Sequence, residues 1–218
     1  MDTATGSARR MTAAERRAQL LQVTKAMVGA EGFHTVTIEA VARRAGVSRP
    51  VVYEHFGGLR GLFDALLDLL SRTALEQLAA VLPRELGGRS PKAVLLGALR
   101  GYLEVAEADP VTWRLVLMPA EGAPKSARER IAEGRSRVVA QLAAAVAPGF
   151  VAGREVPDPE LMALMLVTTA DELARLVLTQ PTAYPVERML AHAGWLLGQF
   201  EAGGELKASS SAADGLCV

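Results

Sequence analysis

The sequence predicts an all-α protein, with an N-terminal three-helix helix-turn-helix head followed by a larger helical body. Ala and Leu dominate the 218 residues while aromatics make up only 5%, a composition that favours helices over strands. No run of alternating β-branched residues interrupts this pattern. The stretch Thr37 to Phe56, TIEAVARRAGVSRPVVYEHF, reads as two short helices broken at one glycine.

Residues 1–11 are expected to form a flexible arm, with Arg9 and Arg10 read as solvated charges. Thr12 followed three positions on by Glu15 is a capping box that opens the first helix, and Gly32 closes it. Leu20, Leu21, Thr24, Met27 and Val28 share one face of that helix and should cover the helix-turn-helix, giving a head over residues 12–58. In the next helix Ile38, Val41, Ala42 and Ala45 fall at i, i+3, i+4 and i+7, leaving Arg43 and Arg44 off the packed face. Gly46 stands where that helix needs a left-handed residue to stop, and the Ser48 hydroxyl is placed to cap the helix that follows. Pro50 falls in the first turn, where a missing N–H has no acceptor to lose. Val52 and Phe56 should pack inward with Val47, which turns Arg49, Val51, Tyr53 and His55 outward.

A helix so presented fits the major groove of duplex DNA, with its N-terminal residues on base edges and its later polar groups near phosphates. Arg49 is the base-reading candidate. The formal net charge is zero, yet residues 1–60 carry nine Lys and Arg against five Asp and Glu, a balance of +4 that the remainder offsets with 15 against 19. Local basic charge of this kind supplies non-specific affinity through phosphate neutralisation. The competing reading is an ordinary helical hairpin that binds nothing, which would leave the outward Arg49, Tyr53 and His55 unexplained.

At these residues the sequence resembles the TetR family of bacterial transcriptional regulators. The features that match in order and spacing are an opening helix with Leu20, Leu21 and Met27, the Glu31-Gly32-Phe33 exit, Thr37, the Ala45-Gly46-Val47-Ser48 turn and Tyr53-Glu54-His55-Phe56. The resemblance implies DNA contacts from Thr37, Arg43, Arg44, Ser48, Arg49, Pro50, Val51, Tyr53 and His55. The family usually has a lysine shortly after the recognition helix; here that position is Leu59, so the phosphate contact is expected to move to Arg60.

The body, residues 59–201, should begin with a long helix from Leu59 to Pro83, a lever joining it to the head. After a loop over Leu86 to Pro91, a helix runs from Pro91 to about Ala108, and Asp109-Pro110 opens a short segment with Trp113 that ends before Pro119. A helix from about Pro124 to Ala147 is charged in its first half and apolar in its second, which predicts one solvated end and one buried end. Pro148 to Pro159 reads as a loop. The last two helices, about 158–179 and 185–201, carry more apolar surface than one face can bury, which predicts a two-fold four-helix contact with a second copy; burial within one subunit is the alternative. Residues 202–218 are small and polar and are expected to be disordered.

Tyr102, Trp113, Met118, Met162 and Met165, with Thr169 and Glu172 among the polar residues that interrupt the penultimate helix, are candidates to line a site for a small, largely apolar effector. The plainer reading makes each Met and Trp core and each polar residue solvated. No nucleophile is paired with a histidine base, no glycine loop suits a phosphate, and the three histidines lack metal-ligand spacing, so neither catalysis nor a metal or cofactor is expected. The single Cys217 excludes an internal disulfide, and the chain has no apolar run of membrane-spanning length, which points to the cytoplasm. Together these readings predict a homodimeric, ligand-responsive regulator, a repressor in the simplest case, on a palindromic DNA operator. The alternative is a helical small-molecule-binding or assembly protein without sequence-specific DNA binding.

Overall fold

The computed structural model describes residues 11–82, 90–118, 125–147 and 156–211, and among them the regular elements are all helical. In chain order they are α1 (Ala13–Glu31), a 3-10 turn (Phe33–Thr35), α2 (Ile38–Ala45), α3 (Arg49–Phe56), α4 (Leu59–Val81), α5 (Pro91–Ala108), α6 (Pro110–Leu117), α7 (Lys125–Val146), α8 (Pro159–Thr179) and α9 (Val186–Ser211). The chain divides into two compact units, Met1–Leu69 and Leu70–Val218, and the boundary falls inside α4. The expected arm with Arg9 and Arg10, most of the two loops, and Cys217 lie outside the described residues.

Local signals in the head become the contacts they imply. Thr12 and Glu15 form the reciprocal capping box, with the Thr12 N–H donating to Glu15 Oε2 over 2.7 Å and the Glu15 N–H donating to Thr12 Oγ1 over 3.2 Å. The α1 face of Leu20, Leu21, Thr24, Met27 and Val28 is buried, as is the α2 stripe of Ile38, Val41, Ala42 and Ala45. Thr24 satisfies its buried hydroxyl by donating to the Leu20 carbonyl over 2.8 Å. Gly46 ends α2 at φ 67°, ψ 35°, a left-handed conformation that other residues adopt only at a cost, so the turn is short because glycine occupies it. The first half of α4 belongs to this unit: Leu62 and Leu66 are fully buried, and the Phe63 ring meets Phe33 edge-on at 5.3 Å.

Two apolar cores organise the body. One gathers Ala74 of α4, Tyr102, Leu103 and Ala106 of α5, Trp113 of α6, Ala174, Val177 and Leu178 of α8, and Val186, Met189 and Leu190 of α9. The other joins Leu95 of α5, Leu142 and Val146 of α7, and Ala163 and Val167 of α8. A Cβ at Gly101 would stand 2.8 Å from Val81 Cγ1, so α5 approaches α4 closely enough that only glycine fits. Among the described residues no helix is long and apolar enough to cross a membrane.

Three expectations need correction. Ser48 occupies the N-cap of α3, but its hydroxyl makes no capping bond; the Pro50 ring in the first turn already removes one orphan N–H, and Val51 N–H reaches the Ser48 carbonyl instead at 3.1 Å. Helix α9 continues to Ser211, ten residues beyond the expected end, because Glu, Leu, Lys and Ala over 201–208 favour a helix enough to carry it past two glycines. The charged half of α7 is not simply solvated, since Arg130 and Arg135 lie on the wall of a cavity in the body.

Candidate nucleic-acid interface and body cavity

On the head, the outer surface of α2 and α3 carries the predicted set. Arg43, Arg44, Ser48, Arg49, Pro50 and Arg60 are exposed, and Tyr53 presents 51% of its surface to solvent. Val51 and His55 are half-buried rather than outward. Each precedes a core residue, Val52 and Phe56, by one position, about 100° around the helix, so the pair flanks the packed face; the His55 and Phe56 rings lie 6.2 Å apart. The Thr37 hydroxyl caps α2 by accepting the Ala40 N–H at 3.1 Å.

Two guanidinium groups of the head, Arg44 and Arg49, are paired with carboxylates. Arg49 donates to Glu39 at 2.9 Å and Arg44 donates to Glu31, both pairs lying at the surface. Glu39 sits below the usual carboxylate range, held there first by its own backbone N–H and then by Arg49, and Glu31 is lowered chiefly by its bond from Arg44. Exposed pairs of this kind contribute little to stability, because solvent screens the attraction and two long side chains must be ordered to make it. Arg17 was not anticipated: its guanidinium lies over the Phe56 ring at 4.5 Å, joining α1 to the end of α3.

In the body a cavity of about 540 Å³ draws its wall from both cores and from all the body helices, α4 to α9. Of the residues named from the sequence, Tyr102, Trp113, Met162, Met165 and Thr169 lie on its wall. Met118 and Glu172 do not. Met118 packs against the larger core beyond α6, and Glu172 faces outward to pair with Arg175 at 3.1 Å. Trp113 is buried, stacks edge-on with Tyr102 at 5.0 Å, and donates its indole N–H to Gln77 Oε1 at 2.9 Å.

The polar part of the wall is a network that sequence reasoning missed. Asp171, 7% exposed on α8, accepts the Tyr102 hydroxyl at 2.9 Å through Oδ1 and pairs through Oδ2 with Arg135 of α7, whose second terminal nitrogen donates to Thr168 Oγ1 at 3.0 Å. Burial raises the Tyr102 phenol above its ordinary value of 10, against the opposing pull of Arg175 and Arg135. Lys92, Arg130 and Arg175 also line the cavity. Nothing in the sequence spacing links Arg135 to Asp171, which lie 36 residues apart. Among the described residues no group of His, Cys, Asp and Glu could hold a metal ion.

Residues 20–66, which contain the whole α2–turn–α3 unit, match the model of the bacterial regulatory proteins of the tetR family. Over these residues the chain is similar to the tetR family of bacterial regulatory proteins. Similar proteins include the transcriptional regulator BetI of Vibrio atlanticus, 32% identical over 91 residues that cover 40% of this chain and 45% of that protein. The regulator HbdR of an Aromatoleum species is 27% identical over 142 residues, 63% of this chain and 60% of its own. The chain thus spans about half the length of the curated relatives it matches. A TetR-like transcriptional regulator from Rhodococcus sp. RHA1 superimposes with a TM-score of 0.68 over 89% of this chain and 100% of its own at 24% identity, a likeness of fold.

Proposed function

We propose that this protein is a regulator of the TetR family, ligand-responsive and binding a palindromic operator as a homodimer, with the body cavity taking a small, largely apolar effector that releases the DNA. The observation that carries this reading is α3 itself. It begins after a left-handed glycine and offers Arg49 and Tyr53 to solvent within the segment that matches the family. Arg49 reads a base edge, while Arg43, Arg44, Tyr53 and Arg60, with Thr37, Ser48, Pro50, Val51 and His55 around them, meet the backbone or flank the contact. Repression by occupancy is the simplest action, the protein works in the cytoplasm, and it performs no catalysis.

Dimerisation is supported by the outer faces of α8 and α9. Leu161, Leu164, Met165, Trp195 and Leu196 are all exposed there, more large apolar surface than an isolated subunit leaves in water, and a second copy of the same helix pair would cover it. Control is supported by α4, since Ser71, Ala74, Leu75 and Leu78 of this helix line the cavity while its first turns belong to the head unit. An effector releases DNA only if it prefers the conformation that misfits the operator, and operator must then weaken effector binding by the same factor.

Selection from random duplexes tests the reading. It should yield an inverted repeat with half-sites at least one helical turn, about 34–36 Å, apart, and affinity should fall steeply with salt. A protein that remains monomeric at micromolar concentration and shows no salt-dependent shift of any duplex would return the chain to the alternative, a helical binding or assembly protein.

A further inference from the structure

The body cavity is open to solvent, and its opening lies in an apolar surface. Among its described lining residues Arg130 of α7, Met165 and Thr169 of α8 and Leu196 of α9 are exposed, and the rest are buried or half-buried. Met165 and Leu196 are 60% and 46% exposed, so the edge they form is one at which an apolar occupant still meets water. The Thr169 hydroxyl does not make that edge polar, because it donates to the Met165 carbonyl at 2.9 Å. Leu161 and Leu164 continue the edge along α8 and Trp195 continues it along α9, exposed side chains that take no part in the cavity. Full charges are missing from these positions. The exposed residues at 161, 164, 165, 168 and 169 of α8 are Leu, Leu, Met, Thr and Thr, and those at 191, 192, 195, 196 and 199 of α9 are Ala, His, Trp, Leu and Gln. Arg135 reaches Thr168 from α7 but is paired with Asp171 at the same time. In a two-fold contact the residues nearest the axis meet their own copies, so a charge there would face a like charge. A surface that keeps Lys, Arg, Asp and Glu out of its exposed centre therefore fits a second copy of this chain better than a charged partner.

We propose that a second copy of this chain closes the mouth of the cavity, its own α8–α9 face forming the outer wall of the site, so that an apolar effector is fully enclosed only in the dimer. An apolar molecule in an open cavity leaves part of its surface in water, and covering that part is favourable in proportion to its area. Effector and partner subunit then stabilise one another. If each site binds more tightly by some factor in the dimer, linkage requires saturating effector to tighten the dimer by that factor squared, because each dimer closes two mouths. The inference rests on the proposed reading of the cavity as effector site and of α8 and α9 as subunit contact, and it adds that the two are one site.

The neutral, apolar fluorophore N-phenyl-1-naphthylamine tests this coupling on the full-length protein. Its affinity is measured by emission at protein concentrations on both sides of the dimer dissociation constant, and that constant is measured by sedimentation velocity with and without saturating probe. The dimer should bind the probe about 5- to 150-fold more tightly than the monomer, the usual span of a coupling between two sites, and the dimer dissociation constant should fall by the square of the observed factor. Leu164→Glu alters a side chain that is 44% exposed and off the cavity wall, and it sets two carboxylates in the contact. The variant should be monomeric and should bind the probe as weakly as dilute wild-type protein does. The wild-type comparison needs no substitution, so the test stands even if Leu164→Glu folds poorly. Equal probe affinity in monomer and dimer, a dimer constant indifferent to the probe, a Leu164→Glu protein that dimerises normally or binds the probe like the wild-type dimer, or no binding of the probe would overturn the proposal. Operator shifts run beside these measurements separate the two readings. Dimers that bind operator while probe affinity ignores dimerisation would retain the regulator and discard the shared site; probe-linked dimers that shift no duplex would do the reverse.

Discussion

The head and the body both pair arginine with a carboxylate, yet the two pairings have opposite energetic meanings. Arg49–Glu39 and Arg44–Glu31 lie in water at both ends, whereas Arg135–Asp171 closes on a buried carboxylate that also holds a buried phenol. In water the attraction of a pair nearly cancels against the ordering of two long side chains, so the head's arginines are stored rather than committed. In the body the carboxylate has already lost its hydration, and removing its partner exposes that loss in full. The same pairing is thus cheap to open at the surface of the head and costly to open in the interior of the body, because the dielectric conditions differ.

Breaking the interior pair should give the largest effect. Arg135→Ala should cost about 3 kcal/mol of unfolding free energy in urea titrations, the lower end of the range for a stranded buried charge because Arg135 is itself 37% exposed. A loss below about 0.5 kcal/mol would make the body pair equivalent to those of the head and erase the contrast. Arg49→Ala should behave the other way round, leaving stability within about 0.5 kcal/mol while costing about 1–3 kcal/mol on the selected duplex and relaxing its sequence preference. If it lowered specific and non-specific affinity equally, Arg49 would be a backbone contact. Tyr53→Phe should weaken all duplexes alike, by less than Arg49→Ala weakens the preferred one, in gel shifts across a sequence panel.

The smallest effects are in pH, and they fall at opposite ends of the scale. Glu15, Glu31 and Glu39 of the head are all held below 4.5, Glu15 by its capping bonds to Thr12. Their contribution to stability is present above 4.5 and is lost as the pH falls through the lowered values. Tyr102 is raised above 10, so its contribution is complete below pH 10 and is lost as the pH climbs towards the folded-state value. Hydrogen exchange followed against pH should therefore show the head loosening first in acid and the body first in alkali. The same unit loosening first at both extremes would contradict the assignment.

What could be read from the sequence follows from how far apart the interacting residues are. The capping box spans Thr12 to Glu15, the α2 stripe spans Ile38 to Ala45, and Gly46 needs only its own backbone angle, so periodicity and turn chemistry reach all three. Tyr102, Trp113 and Met162 were found as cavity residues because large groups on helices in a deep body tend to face inward. Arg135 was not, because a guanidinium in a run of charges reads as solvated until a carboxylate 36 residues later is folded against it. Gln77 joins Trp113 over the same separation. Ser48 illustrates the reverse failure, in which the residue type fits a cap and the position is right, but with Pro50 in the first turn the hydroxyl makes no capping bond.

The two tryptophans stand in contrasting surroundings, and this has an optical consequence. Trp113 is 1% exposed on the cavity wall, whereas Trp195 is 59% exposed on α9 and stacks on His192 with ring centres 5.6 Å apart. Indole emission moves to longer wavelength as its surroundings become more polar, so the native spectrum is the sum of a blue component from inside the body and a red component from its outer face. Filling the cavity perturbs the first and covering α9 perturbs the second. Trp195→Phe would leave a single buried emitter that reports occupancy of the cavity alone, and the red component lost in that variant is the one that reports whatever covers α9, without an attached dye.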